Sequence, residues 1–315
     1  MKGVLRTRSP RNPGCVCPPG RGGGTNKSIS PRSSTRASTP SRLHPTMSTQ
    51  ASIAFAKGAS AYQAYLESPH GRLRLEIVWH QLSSIMAKAW GPDAAPLQIL
   101  DIGCGTGELA LRLAAQGHAV TLLDSVGEML DLAKDKGQGI TPPPPIAPCF
   151  LLGSLEQASD LLEQKTFDLL LCHTVVEYLP NPENALIPLR SLLNAGGFLS
   201  LVTLNGWQEP LRLAVRDRKF DEARRALSGE GAKDSLFGIP RKGMVLDEFC
   251  AELEALGIEV VGHEGILVFS DYLPSGVLED PSSFPTLLRL EVEAGGRSPL
   301  KQVARYLHLW GKRTG

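Results

Sequence analysis

The sequence predicts an α/β protein built on a doubly wound, seven-stranded, Rossmann-like sheet with a helical insertion. Three observations predict it. Between residues 97 and 263, short apolar runs of strand length alternate with stretches of helical periodicity. Phe167–His173 is apolar at nearly every position, as a strand buried on both faces must be. A glycine-rich turn, Gly103-Cys104-Gly105-Thr106-Gly107, follows the first apolar run and opens the next helix.

The elements follow in order. Leu73, Ile77, Val78, Leu82 and Ile85 recur at helical spacing, so residues 62–89 read as one helix, closed by Pro92 and Pro96. Residues 97–102 form the first strand and 108–116 a helix ended by Gly117. A strand over 119–124, a helix over 129–136 and a strand over 150–152 come next. Pro142 to Pro145, four prolines in a row, must be a loop. After the strand at 167–173 come a helix at 183–193, a turn at Gly196-Gly197 and a strand at 198–204. The Arg-rich helix over 209–228 interrupts the alternation, which defines an insertion at about 207–243. A helix over 246–256 and strands at 258–263 and 306–310 complete the count, the last strand as an antiparallel partner.

Composition bounds the function. The net charge of +1 is uneven: residues 1–50 hold nine Lys or Arg and no acid. The remainder has 24 basic against 32 acidic residues, a net of about −8, which excludes a globally basic nucleic-acid binder. Residues 1–50 lack hydrophobic periodicity and are rich in Ser, Pro, Gly and Arg, so they read as a disordered extension before a folded domain at 51–315. Residues 1–46 have the composition of a transit peptide, or precede a true start at Met47. The expected address is cytoplasmic, with organelle import if that segment is a genuine transit peptide. No apolar run reaches 18 residues, so no membrane span is expected. Apart from Cys15 and Cys17, the six cysteines are scattered without metal-ligand spacing, and neither a metal nor a disulfide framework is expected.

The glycine turn carries the chemistry. Backbone can approach a ligand closely there, while the following helix offers free N–H groups. Its spacing, Gly-x-Gly-x-Gly, lacks the extra residue of the dinucleotide fingerprint Gly-x-Gly-x-x-Gly, so the turn suits a ligand without pyrophosphate, such as S-adenosylmethionine. Asp124 ends the next strand, placed for its carboxylate to accept hydrogen bonds from both ribose hydroxyls. The alternative is a structural turn with a surface Asp. Leu155 and Glu156 follow the third strand, where an adenine ring would lie. His173 ends the fourth strand at the carboxyl edge, where open α/β sheets bind ligands.

The stretches Gly71-Arg72-Leu73-Arg74, Leu100-Asp101-Ile102-Gly103, Gly117-His118-Ala119-Val120, His173-Thr174-Val175-Val176-Glu177, Val268-Phe269-Ser270-Asp271-Tyr272 and Ala304-Arg305-Tyr306-Leu307-His308 carry a resemblance. Through them the body, residues 56–312, resembles the class I methyltransferases. Within these it is similar to the bacterial tRNA 5-carboxymethoxyuridine methyltransferases of the CmoM or SmtA type. The resemblance implies an enzyme with S-adenosylmethionine as cofactor and tRNA as partner, esterifying a carboxylate on a wobble uridine. It implies that Arg74 pairs with the methionyl carboxylate, that Gly103 and Cys104 lie along the methionine portion, and that Asp101 and Gly105 also bind the cofactor. By the same resemblance Asp124 holds the ribose, Leu155 and Glu156 the adenine side, and His173 the region of the sulfonium. A carboxylate acceptor is already ionised at neutral pH, so no general base is required. Where the relatives carry an Arg before Phe-x-Asp-Tyr, this chain has Leu267; Arg305, with Tyr272, becomes the expected substrate anchor.

The Lys-rich tract of the relatives is reduced here to Gly238-Ile239-Pro240-Arg241-Lys242-Gly243. Residues 212–242 nonetheless hold nine Lys or Arg against five acids, a local +4 that includes Arg212, Arg216, Arg218, Lys219, Arg224 and Arg225 and could track phosphates. A methyltransferase for a small acid or phenol, with the insertion as a lid, is the second reading. A non-catalytic binding module with the same fold is the third. An NAD oxidoreductase is disfavoured by the glycine spacing.

Overall fold

Two helices, α1 (Thr49–Glu67) and α2 (Pro69–Trp90), open the fold, where the periodicity predicts one. The break is local chemistry. Pro69 cannot continue a helix from α1 but suits the first turn of α2, and the Ser68 hydroxyl caps α2 by accepting from the Gly71 N–H at 3.2 Å. Gly71 is required at this corner, because a Cβ there would stand 2.1 Å from the Tyr65 carbonyl oxygen. The computed structural model describes residues 49–91, 94–179, 181–228, 232–233 and 236–315. The expectations for residues 1–46 and for Pro92 lie outside the described residues.

The elements then run β1 (Gln98–Ile102), α3 (Glu108–Ala115), β2 (Ala119–Asp124), α4 (Gly127–Gln138), β3 (Cys149–Leu152), α5 (Ala158–Leu161), β4 (Phe167–His173), α6 (Pro182–Leu192) and β5 (Leu193–Leu204). The insertion carries α7 (Gln208–Val215), α8 (Phe220–Ala226) and the short pair β6 (Ala232–Lys233) and β7 (Pro240–Arg241). After it come α9 (Leu246–Ala255), β8 (Ile258–Ile266), α10 (Ser275–Glu279), α11 (Phe284–Gly295) and β9 (Tyr306–Arg313). The main sheet has seven strands in the order β3-β2-β1-β4-β5-β9-β8, parallel through β5, with β9 antiparallel to both neighbours.

Side-chain alternation divides the core between the two faces of the sheet. Leu169 and Leu171 of β4 pack with Leu73, Ile77 and Leu82 of α2 and Leu113 of α3. Leu170 and Cys172 pack on the opposite face with Leu186 and Leu189 of α6 and Phe249 and Leu253 of α9. Burial of each such leucine stabilises by about 1.5–3 kcal/mol, which explains why a strand buried on both faces reads as an unbroken apolar run.

Three further elements differ from the sequence expectation. Gly196-Gly197 is not a turn before β5 but a bulge within it, where the pairing with β4 shifts register between Phe167 and Leu169. The helix predicted over 209–228 is two helices, parted near Arg218, whose φ of +58° no helix tolerates. Helix α11, for which the sequence reading has no element, packs on α2 and β8. The insertion leaves and rejoins the sheet at one point: Met244 N–H donates to Leu204 O at 2.8 Å, and Gly206 N–H donates to Met244 O at 2.9 Å. Among the described residues, no helix is long and apolar enough to cross a membrane.

Candidate functional site

A cleft of about 1120 Å³, counted to its open mouth, lies at the carboxyl edge of the parallel strands, lined by residues of α1, α2, β9 and the insertion as well. Its floor is the glycine turn. Gly103, Gly105 and Gly107 have φ of +65°, +54° and +79°, and the Gly103 and Cys104 N–H groups both donate to Leu123 O, pinning the turn to β2. A Cβ on Gly103 would stand 2.3 Å from Val175 Cγ2, so only glycine lets the loop after β4 close over this floor. In that loop Thr174 holds φ of +55°, a left-handed conformation for a residue with a Cβ, fixed by its N–H donating to Val202 O at 2.7 Å.

Of the predicted residues, Arg74, Gly103, Gly105, Asp124 and Arg305 line the cleft. Asp124 joins the two loops at its floor: Oδ2 accepts from Gly105 N–H at 2.8 Å and Oδ1 from Val126 N–H at 2.9 Å. The Ser125 N–H also bonds this carboxylate. Burial raises its carboxyl above the ordinary range, against the pull of these backbone N–H groups. Arg74 is enclosed by aromatic side chains, donating to Tyr62 Oη at 3.3 Å and standing 5.7 Å and 5.4 Å from the ring centres of Tyr65 and Tyr306. No carboxylate among the described residues pairs with it.

Arg305 donates from Nη1 to both oxygens of Asp271, at 3.0 and 3.2 Å, and its Nε is buried without a partner among the described residues. Asp271 also receives His70 Nε2 at 3.0 Å and Gln208 Nε2 at 2.8 Å, so one carboxylate ties α2, the insertion and the residue before β9 together behind the cleft. Burial opposes ionisation there, but the bonds from His70 and the Arg305 charge hold the Asp271 carboxyl below its ordinary range. The segments Phe-Ser-Asp-Tyr and Arg-Tyr-x-His, far apart in sequence, thus meet in one ion pair. Leu267 is 1% exposed and belongs to the core, so the position is no place for a cleft-facing cation in this chain.

Asp101, Cys104, Leu155, Glu156, His173 and Tyr272 are not part of the lining. Asp101 is buried, and desolvation, then Asp124 and Glu108, push its carboxyl well above the ordinary range. Cys104 Sγ turns back to Gly105 O at 3.6 Å, and burial raises its thiol. Ser154 and Gln157 close a reciprocal capping box that turns Leu155 into the core beside α6, with Glu156 next to it on the same short turn. Neither residue lines the cleft, whereas Ser125, Val126 and Met129 do. His173 directly precedes the lining residue Thr174 and is pushed down to about 3 by burial and then by the Arg74 charge. The Tyr272 hydroxyl is buried.

Most of the lining was not legible in the sequence. Tyr62 and Tyr65 stand one helical turn apart on α1, and Tyr306 neighbours Arg305, whose guanidinium lies 5.4 Å from its ring. Burial would raise the Tyr306 hydroxyl, but Arg305, Arg74 and Arg241 together outweigh it and hold the group below its ordinary value. Arg241 of β7 and Glu177 also line the cleft. Desolvation pushes the Glu177 carboxyl up to about 7, tempered by its backbone bond, Arg241 and Arg74. The adjacency of Arg305 and Tyr306 and the run from His173 to Glu177 after β4 were readable signals; Tyr62 and Tyr65 are brought in by the corner at Ser68 and Arg241 by the insertion.

Residues 100–201 match a methyltransferase domain. The chain is 29% identical over 245 residues to the tRNA 5-carboxymethoxyuridine methyltransferase of Escherichia coli (strain K12), covering 77% of this chain and 89% of that one. It is 32% identical over 125 residues to a ubiquinone biosynthesis O-methyltransferase of Xanthomonas oryzae, covering 39% and 49%. Among solved structures, a possible histamine N-methyltransferase from Thermotoga maritima superposes with a TM-score of 0.52 at 16% identity, over 84% of this chain and 100% of that one. The plantazolicin methyltransferase BamL superposes with a TM-score of 0.51 at 18% identity, over 84% and 95%. These two share the fold.

Proposed function

We propose that this S-adenosylmethionine-dependent methyltransferase esterifies a carboxylate on a modified wobble uridine of tRNA, of the 5-carboxymethoxyuridine type. The observation that carries the reading is the convergence of three guanidinium groups, Arg74, Arg241 and Arg305, on one aromatic-walled cleft in a body of net negative charge. The cofactor brings one carboxylate to such a cleft, and the remaining cations suit a second, on the acceptor. The similarity over most of this chain to a tRNA 5-carboxymethoxyuridine methyltransferase supports that acceptor.

In this reading Arg74, which has no carboxylate partner among the described residues, holds the methionyl carboxylate. Gly103 and Gly105 let the backbone approach the cofactor, Asp124 takes the ribose hydroxyls, and Val126 and Met129 flank the base. Asp101 and Cys104 support the methionyl side from behind the lining, His173 stands at its edge beside Thr174, and Leu155 and Glu156 shape the third-strand loop. Bound S-adenosylmethionine supplies a methyl group on a sulfonium, which an ionised carboxylate oxygen displaces directly. The protein's work is then alignment and desolvation of the acceptor, and no general base is needed. Arg305, held by Asp271, and Arg241 anchor the non-attacking oxygen, with Tyr272 behind them.

The basic insertion offers a second contact with RNA. Arg212 is taken up by Glu209 and Asp217, Arg216 by Asp217, and Lys219 by Glu222, which leaves Arg218 and Arg224 exposed with no ion pair among the described residues. The test of the acceptor is Arg305→Gln. It should raise the KM for tRNA by tenfold or more while leaving S-adenosylhomocysteine binding within twofold; loss of cofactor binding with unchanged tRNA KM would reverse the assignment.

A further inference from the structure

Behind the cleft runs a chain of buried polar groups that methyl transfer to a carboxylate leaves unused. His173 Nε2 lies 2.7 Å from Ser200 Oγ, Ser200 Oγ 2.9 Å from His308 Nε2, and His308 Nδ1 2.8 Å from Gln81 Oε1. Gln81 Nε2 then donates to the Gly265 carbonyl oxygen at 2.9 Å. Ser200 and His308 are 0% exposed and Gln81 2%, so this is a sealed network in the core, where an unmade bond is costly.

The far end fixes the direction of every bond. A carbonyl oxygen only accepts, so Gln81 presents its NH2 to Gly265 and its Oε1 to His308. His308 Nδ1 therefore carries the hydrogen, and its Nε2 has only a lone pair to offer Ser200. The single Ser200 hydroxyl hydrogen goes to His308, which leaves Ser200 Oγ as acceptor for His173 Nε2–H. A neutral His173 with hydrogen on Nε2 has a bare Nδ1. That nitrogen bonds to none of the described residues, and His173, only partly buried, adjoins the lining residue Thr174. The nearby Arg74 charge opposes its protonation.

We propose that Gln81, His308 and Ser200 are positioning residues that lock His173 in its Nε2–H tautomer, so that its unprotonated Nδ1 accepts a hydrogen bond from the cofactor's α-ammonium group. The inference rests on the reading that this cleft holds S-adenosylmethionine. An acceptor here complements Arg74: the guanidinium takes the methionyl carboxylate and the imidazole takes the ammonium, so the two ends of the amino acid are told apart.

Two probes test it on the full chain. Long-range 15N–1H NMR of histidine-labelled protein reads the tautomer directly and is expected to show His173 protonated on Nε2 and bare on Nδ1; the opposite tautomer overturns the proposal. Calorimetry compares S-adenosylhomocysteine with 5′-methylthioadenosine, which lacks the amino-acid end. Ser200→Ala is expected to mix the His173 tautomers and weaken S-adenosylhomocysteine about tenfold, with 5′-methylthioadenosine unchanged, and Ser200→Thr, which keeps the hydroxyl, is expected to restore both. Equal weakening of the two ligands, or no weakening, overturns the proposal. If the wild type binds neither ligand, the cofactor-site reading itself fails, a distinct outcome. Should Ser200→Ala not fold, the wild-type tautomer still decides.

Discussion

Glu291 lies on α11, outside the cleft, and yet controls the loop that carries Asp271. It is 0% exposed and accepts three backbone N–H groups, from Val268 at 2.6 Å, Phe269 at 3.1 Å and Ser270 at 2.7 Å. The loop needs that support, because Leu267 holds φ of +60°. Glu291→Gln keeps the shape but replaces one acceptor oxygen with an NH2 that faces another donor. Orphaning one buried N–H costs about 1–3 kcal/mol, and the surviving bonds lose their charge assistance. The expected loss is about 3 kcal/mol, a fall in Tm of about 6–12 °C for a domain of this size. Urea unfolding and thermal melts measure it. Because Asp271 sits on the same loop and orients Arg305, the tRNA KM should rise as well, while S-adenosylhomocysteine affinity stays put. A stability loss below about 0.5 kcal/mol, the range of an ordinary surface change, would refute the reasoning.

Three further outcomes are expected. Glu177 has a folded pKa of about 7 against 4.5, so the protonated carboxyl favours the folded state: its contribution is present below about pH 4.5 and lost as pH rises through 7. Glu177→Gln should therefore gain about 3 kcal/mol relative to wild type between pH 4.5 and 8 in urea unfolding, and parallel pH profiles would contradict this. Arg74→Met should weaken S-adenosylhomocysteine about 30-fold to 150-fold, the worth of a charge-assisted pair of about 2–3 kcal/mol; unchanged affinity in calorimetry would remove Arg74 from the cofactor site. Replacing Arg218 and Arg224 together by Glu should weaken tRNA binding and flatten its salt dependence by about two phosphate contacts, with cofactor affinity intact; an unaltered salt slope would make the patch mere solvated surface.

The sheet was legible because its strands are buried on both faces: Phe167–His173 and its neighbours can be nothing else once helices cover both sides. The glycine turn was legible for a similar reason, since close backbone approach leaves a signature in residue type. What the sequence hides is which way a loop residue faces. Leu155 follows a strand edge as an adenine-contacting residue would, but the Ser154–Gln157 box turns it into the core. Tyr62 and Tyr65 look like any helical aromatic residues until the corner at Ser68 folds α1 back along α2. The role of Glu291 was invisible, because its partners are backbone N–H groups more than 20 positions away.

The central claim, methyl transfer to an acidic wobble nucleoside, is tested most directly with S-adenosylmethionine labelled in its methyl group and tRNA that lacks wobble methyl esters. The label is expected to enter tRNA and to be released by mild alkali, as an ester methyl must be, and to fall sharply with Arg305→Gln. Label that resists alkali, or that enters only a small-molecule acid or phenol, would contradict it.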